Sequence, residues 1–294
     1  MTVLQAHLVC VCLVAADFLV RAWRIQWIIQ GLGYRLSVKD AFILNAFGDA
    51  ACALTPLRIG GEPARLAGML RSGVPATAAF VGISLEVLAA WPVIIVAAGW
   101  LAWLYAPAWW ASAGPRLGAA AEQAWPWVVA VFLISVLAWR YARRVARPVA
   151  RHLRRPVRRA LVYWRRMPRW PILASLPLSL INLVTRVAIL PVLALTLPEP
   201  PAMGPMLLGS FALLYSQLLL PTPSGAGAVE LGFLGGAVGD LGEHQGWLLL
   251  AWRWYTNGLG VVLGVWLAAK IYGWPALRKL TRQGSAEVRE QPEG

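Results

Sequence analysis

From Val74 to Trp110 the chain carries a single charge, Glu86. A soluble fold rarely covers an apolar stretch of that length on all sides, whereas a helix in hydrocarbon needs about 20 such residues to cross. Further apolar blocks cover residues 2–20, 41–57, 124–141, 171–197, 206–220 and 246–269. Only 14% of the residues are charged and 59% are apolar, against roughly 25% charged in a soluble domain. The pattern is that of an all-α polytopic membrane protein. Several of the 17 Trp stand near segment ends, as at Trp109–Trp110, Trp125 with Trp127, and Trp252 with Trp254, where amphipathic rings favour the headgroup level.

Charge placement sets a topology. The formal net charge is +14, and twelve Arg without one Asp or Glu fall between Arg140 and Arg169. The positive-inside rule makes 140–170 a cytoplasmic loop lying against anionic lipid. Nucleic acid is the weaker reading, since no zinc-finger spacing or RNA-binding pattern accompanies these arginines. Arg21, Arg24, Arg35 and Lys39 place the link after the first segment on the same face. Gly114–Glu122 reads as a short, nearly neutral outer connection, and 271–294 as a flexible cytoplasmic tail. The first segment lacks a signal peptide's charged start and cleavage site, so it reads as a retained helix. Cys10, Cys12 and Cys52 have neither the even count of a disulfide framework nor metal-ligand spacing.

If 140–170 and the tail share a side, an even number of crossings separates them. Segments 171–197 and 246–269 supply two, so 206–240 must enter and leave on one side. Its arms of about 15 residues are short for a span of about 20, which favours a re-entrant hairpin from outside. Region 41–72 has the same character from the inside. The expected architecture is about 5–8 transmembrane segments with two re-entrant hairpins in an inverted arrangement, although two full crossings would give much the same hydropathy. Val74–Trp110 allows one long tilted helix or two helices divided near Pro92.

Three groups of residues carry chemical interest. The first is Thr55-Pro56-Leu57-Arg58-Ile59-Gly60-Gly61-Glu62-Pro63-Ala64-Arg65. Pro56 and the two glycines break a helix. If it resumes, Glu62 sits favourably near its start and shares a face with Arg65; the alternative is a surface loop in water. The second is Pro221-Thr222-Pro223-Ser224-Gly225-Ala226-Gly227, followed by Glu230. Irregular backbone at membrane depth must line protein or a cavity, and N–H groups around Ser224–Gly227 could hold a lipid phosphate. A simple hinge is the rival. The third group is isolated charge: Glu86, Arg186 and Arg253. An unpaired mid-membrane Arg is costly, so Arg186 calls for a partner such as Glu230 or Glu62, and Asn182 one turn earlier could share its cavity. Arg253 could instead snorkel to the interface. Asp17 and Asp49 are accounted for by helix packing or local hydrogen bonds.

No catalytic constellation stands out, and neither a dinucleotide fingerprint nor a P-loop is present. No cofactor, no metal and no catalytic residue is expected. Together, Trp23-Arg24, Asn45, Pro56 with Arg58, Gly61-Glu62-x-x-Arg65, Arg71-x-Gly73, Glu86 and Pro221-x-Pro223-x-Gly225-x-Gly227-x-x-Glu230 resemble the membrane domain of lysylphosphatidylglycerol synthases and its stand-alone relatives, over roughly 3–270. The resemblance implies a bacterial inner-membrane protein, with the loop and C-terminus cytoplasmic, that handles an amphiphilic lipid. In full-length relatives this domain translocates aminoacylated phosphatidylglycerol, while a soluble domain transfers the amino acid from tRNA. Nothing here provides room for that second domain, so no aminoacyltransferase activity is expected. The expected function is a flippase or transporter for an anionic or phosphate-bearing lipid, phospholipid or isoprenoid. The alternatives are a lipid-binding scaffold for an envelope-biosynthesis enzyme and a membrane-embedded lipid-modifying enzyme. A homodimer or a biosynthetic enzyme is a conceivable partner. Expected to line a headgroup cavity are Arg58, Glu62, Arg65, Glu86, Arg186, Ser224, Gly225, Gly227, Glu230 and Arg253. Ser224 departs from the family motif, where Gly is common, and adds a side chain to the break.

Overall fold

The computed structural model describes residues 1–55, 58–152, 162, 167–218, 220 and 222–273; within 116–152 the surroundings of only Gly118 and Arg140 are described. Pro56, Pro221, most of the loop between 153 and 166, and the tail from 274 lie outside the described residues. Every described secondary-structure element is helical, with no strand among the described residues.

Helix α1 (Val3–Gly31) starts at a capping box in which Thr2 and Gln5 satisfy each other's backbone N–H groups. Ser37 caps α2 (Val38–Leu54) by accepting from the Asp40 N–H. Helix α3 (Gly61–Arg71) follows the first break, with Glu62 in its first turn. Helix α4 (Ala76–His152) runs unbroken past Pro92, which decides between one helix and two. It also continues through Gly114–Glu122, where a connection was expected. Pro115 removes only one backbone donor, and Ala119, Ala120, Ala121 and Glu122 are strong helix formers.

The second half comprises α5 (Trp170–Val187), α6 (Ile189–Ala194), α7 (Met203–Ser216), α8 (Ala228–Gly232), α9 (Gln245–Arg253) and α10 (Leu259–Tyr272). Wide π turns follow α8 at Phe233–Ala237 and join α9 to α10 at Trp254–Gly258. Among the described residues, three stretches are long and apolar enough to cross a membrane: α1, the Ala76–Pro115 part of α4, and Trp170–Ala194.

Helices α2 and α3 fold back on each other as an antiparallel hairpin. Gly68 lies against Leu44, Gly48 against Arg65, and Gly61 against Cys52. Helix α7 and the α8 segment form a second hairpin, with Gly209 against Ala237 and Gly232 against Leu213. The two hairpins start from opposite ends of the molecule. One end gathers the base of α2–α3 and the end of α10, where Lys39, Arg71 and Lys270 line one pocket. At the other, Gly239 packs on Pro201 and the N-terminal amine donates to the Leu195 carbonyl; the nearby connections carry Glu199, Asp240 and Glu243.

Two apolar cores stack along this axis. Val14, Phe18, Leu190, Met206, Phe233 and Trp252 share one; Ile25, Ile28, Leu44, Met69 and Ala78 share the other. The layer between them, at the middle of α1, is ionic. Helix α10 closes the structure by lying along α2, with Gly260 against Asp49 and Gly264 against the Ala46 carbonyl and Ala50. Any side chain at those two glycines would hold the helices apart.

Candidate functional site

The ionic layer is built by residues from almost every long element. Glu86 of α4 is 1% exposed. Its Oε1 accepts from Arg24 Nε and Nη2 at 2.9 and 2.7 Å, and its Oε2 pairs with Arg65 Nη2. Arg24 also donates to Ser179 Oγ at 3.0 Å, and Arg65 reaches Glu62 Oε2 at 3.3 Å. One carboxylate therefore ties α1, α3 and α4 together, and Arg24 extends the network to α5. Beside it, Arg21 Nη1 meets both Asp49 oxygens at 2.9 Å and Nη2 meets Asp17 Oδ2 at 2.9 Å. Asp17 also accepts from Asn182.

Arg21 and Arg24 are therefore interior, not part of a cytoplasmic link as charge counting suggested. Helix α1 is long enough to hold them at mid-depth, and carboxylates from other helices offset the cost of burying them. A sequence signal existed: Asp17, Arg21 and Arg24 fall on one helical face, with Asp17 and Arg21 four apart.

The second break is closed by a different pair. Arg253 Nε donates to Glu230 Oε1 at 2.6 Å and Nη1 donates to the Ser224 carbonyl at 3.1 Å. Glu230 Oε2 accepts from the Gly227 N–H at 2.7 Å. Arg253 does not snorkel; Glu230 holds it inside. The Gly227 amide, expected to be available to a phosphate, is taken by the chain's own carboxylate. The N–H groups of Gly225 and Ala226 are also spent, on the Thr222 and Pro223 carbonyls.

The ends of the two hairpins meet. The turn Pro223–Gly225 packs on α2, and Arg58 Nη1 donates to Gln217 Oε1 at 3.1 Å across the gap. Arg58 (φ 56°) and Ser224 (φ 51°) are the two non-glycine residues with positive φ among those described, one at each break. Such backbone costs about 1–3 kcal/mol and collects at ligand sites. Gln217 Nε2, Thr222 Oγ1 and Ser224 Oγ are buried there without a partner among the described residues. An orphaned buried donor or acceptor costs about 1–3 kcal/mol, so these atoms suit a polar ligand.

Arg186 completes the arrangement. Its Nη2 donates to the Thr256 carbonyl in the π turn at 2.8 Å, and it lies within electrostatic reach of Arg58. Neither Glu62 nor Glu230 is its counter-charge, because each is committed to another arginine. Arg186 shares a small polar cavity of about 10 Å³ with Asp17, Arg21, Asp49 and Tyr255, the scale of one water. Asn182 holds the far side of Asp17 and does not line it. Among the described residues, Arg21, Arg24, Arg65 and Arg253 each bind a carboxylate, whereas Arg58 and Arg186 are held by neutral oxygens. Val187, next to Arg186, lines an apolar groove of about 720 Å³ between α4 and α5, with Trp100, Pro177 and Leu183. No three His, Cys, Asp or Glu side chains converge as metal ligands among the described residues.

Of the residues expected to form one cavity, the geometry separates three sets. Glu62, Arg65 and Glu86 belong to the first network; Ser224, Gly227, Glu230 and Arg253 belong to the second, with Gly225 (φ 69°) completing its turn. Arg58 reaches Gln217 across the gap, and Arg186 lies beside the Arg21 pair. Gln217 was missed, since one Gln past a helix end carries no distinguishing spacing.

Searches of curated proteins and of solved structures return no match to this chain. A family model does match, that of the lysylphosphatidylglycerol synthase TM region, over residues 2–264. That span takes in both hairpins, all three arginine networks and the site where the breaks meet, and the chain belongs to this family of membrane domains.

Proposed function

We propose that this protein moves an anionic, phosphate-bearing amphiphilic lipid across the bacterial inner membrane, with the headgroup passing between the two breaks at Arg58 and Arg186. The carrying observation is the inequality among interior arginines of the described residues: four are in direct salt bridges with carboxylates, and these two are held by neutral oxygens. Two cations held by neutral oxygens in a low-dielectric setting attract an anion strongly. The unpartnered Gln217, Thr222 and Ser224 atoms beside them supply further hydrogen-bonding capacity for its oxygens. The α4–α5 groove, reached past Val187, gives a hydrocarbon chain an apolar route while the headgroup sits at Arg186.

In this reading both hairpins are re-entrant. Helices α2 and α3, of 17 and 11 residues, and α7, of 14, are each short for a crossing. Broken helices meeting from opposite faces are a recurrent transporter design. The basic end, with Lys39, Arg71 and Lys270, faces the cytoplasm by the positive-inside rule. Glu62, Arg65, Glu86, Glu230 and Arg253 position the breaks.

Purified protein in proteoliposomes, with a headgroup-labelled phosphatidylglycerol whose outer-leaflet copies are chemically quenched, tests this. Arg186→Gln and Arg58→Gln should each abolish label movement while keeping the wild-type unfolding transition. Movement at the wild-type rate in both variants rejects the assignment. If wild-type protein moves no lipid but stably captures a biosynthetic enzyme, the scaffold reading replaces it.

A further inference from the structure

A second lipid site, independent of the transport reading, lies at the basic end about 24 Å from the breaks, taking the rise along α2 from Lys39 to Thr55. There α2, α3 and α10 leave an open pocket of about 610 Å³ between them. Its rim carries Lys39, Arg71 and Lys270, three cations from three different helices, against one acid, Asp40. Asp40 is engaged by its own cap, accepting from Ser37 Oγ at 2.6 Å. The floor is apolar: Ile43, Phe47 and Leu267 line it. Gly68 lets α3 approach Leu44 closely below the rim.

This combination selects its occupant. A soluble anion would use the rim and gain nothing from the floor. A neutral lipid would use the floor and gain nothing from the positive rim. Only a molecule with an anionic headgroup joined to a hydrocarbon chain satisfies both. The depth agrees, because Lys270 Nζ stands 5.2 Å from the Trp266 ring centroid, and Trp266 is 55% exposed on the outer face of α10. An exposed Trp beside a terminal Lys marks the headgroup level of a bilayer. We propose that this pocket is a docking site for an anionic phospholipid of the adjoining leaflet, its phosphate at Lys39, Arg71 and Lys270 and one acyl chain over Ile43 and Phe47.

Native mass spectrometry of the full chain, released from nanodiscs containing equal phosphatidylglycerol and phosphatidylcholine, tests the proposal. Wild-type protein should retain phosphatidylglycerol in preference. Lys39→Gln with Lys270→Gln, at two exposed positions whose change leaves the fold intact, should weaken that preference by roughly 25-fold, about fivefold per removed charge. The charge-keeping pair Lys39→Arg with Lys270→Arg should restore it. Arg58→Gln with Arg186→Gln should leave it unchanged, which separates this site from the one between the breaks. Equal retention of both lipids by wild-type protein, or undiminished preference in the Gln pair, overturns the proposal.

Discussion

The two hairpins are tied to their surroundings by ion pairs built in different ways. The α2–α3 hairpin contributes both signs, its Arg65 meeting Glu86 of α4 and its Asp49 meeting Arg21 of α1. In α7–α8 the hairpin contributes the carboxylate, Glu230, and a neighbouring helix contributes the cation, Arg253. Their reach differs too. Glu86 ties three helices together with side chains almost wholly out of solvent, whereas Glu230 turns back on its own loop through Gly227. The first hairpin is therefore anchored to the scaffold as a whole, and the second is held locally at its bend. Each carboxylate is consumed by anchoring, whereas Arg58 and Arg186 are held by neutral oxygens.

The largest effect should come from the first anchor. Glu86→Gln leaves Arg24 buried without a counter-charge and Arg65 with only the half-exposed Glu62, and should cost about 3–5 kcal/mol, read as a collapse of the thermal unfolding midpoint in detergent. Glu230→Gln should cost less, about 1–2 kcal/mol, because that pair is partly exposed and screened. Hydrogen exchange should locate its effect, with faster exchange at the Gly227 amide and little change in α3. A uniform rise across both hairpins would break the contrast between global and local anchoring.

Packing sharpens the comparison next. A methyl at Gly209 would strike the Ala237 carbonyl, which is backbone, whereas one at Gly61 would strike the Cys52 sulfur, which is a side chain. Gly209→Ala should therefore cost about 1–3 kcal/mol and exceed Gly61→Ala; the reverse order in unfolding midpoints would show that Cys52 has no room to turn. The smallest effect is a gain. Ser224→Gly relieves a left-handed backbone and removes an orphaned hydroxyl, and should raise stability by about 1 kcal/mol.

Much of this was legible in the sequence, for identifiable reasons. Breaks announce themselves through Pro and Gly, and apolar runs through length, so membrane insertion and the positions of both interruptions could be read directly. The Glu62–Arg65 pair followed from helical spacing. Partner choice across helices could not be read, because it depends on which faces meet. Arg186 therefore drew a carboxylate on paper and a backbone carbonyl in space, and Glu86 proved to serve two arginines. Arg21 and Arg24 were misplaced because counting positive charge along the chain treats an interior arginine and a headgroup-facing one alike.

The wide turn at Trp254–Gly258 has a consequence for how the chain tolerates length changes. A π turn holds one residue more than the ordinary helical repeat, so α9 and α10 are out of phase by about 100°. Deleting Asn257 would restore the phase, and with it turn everything beyond by that angle. Gly260 and Gly264 would leave the seam against Asp49 and Ala46, and Val261 and Val265 would arrive in their places. A single lost codon there would act as a rotation and wedge α10 off α2, whereas the same loss in the connection before Met203 would merely shorten a tether.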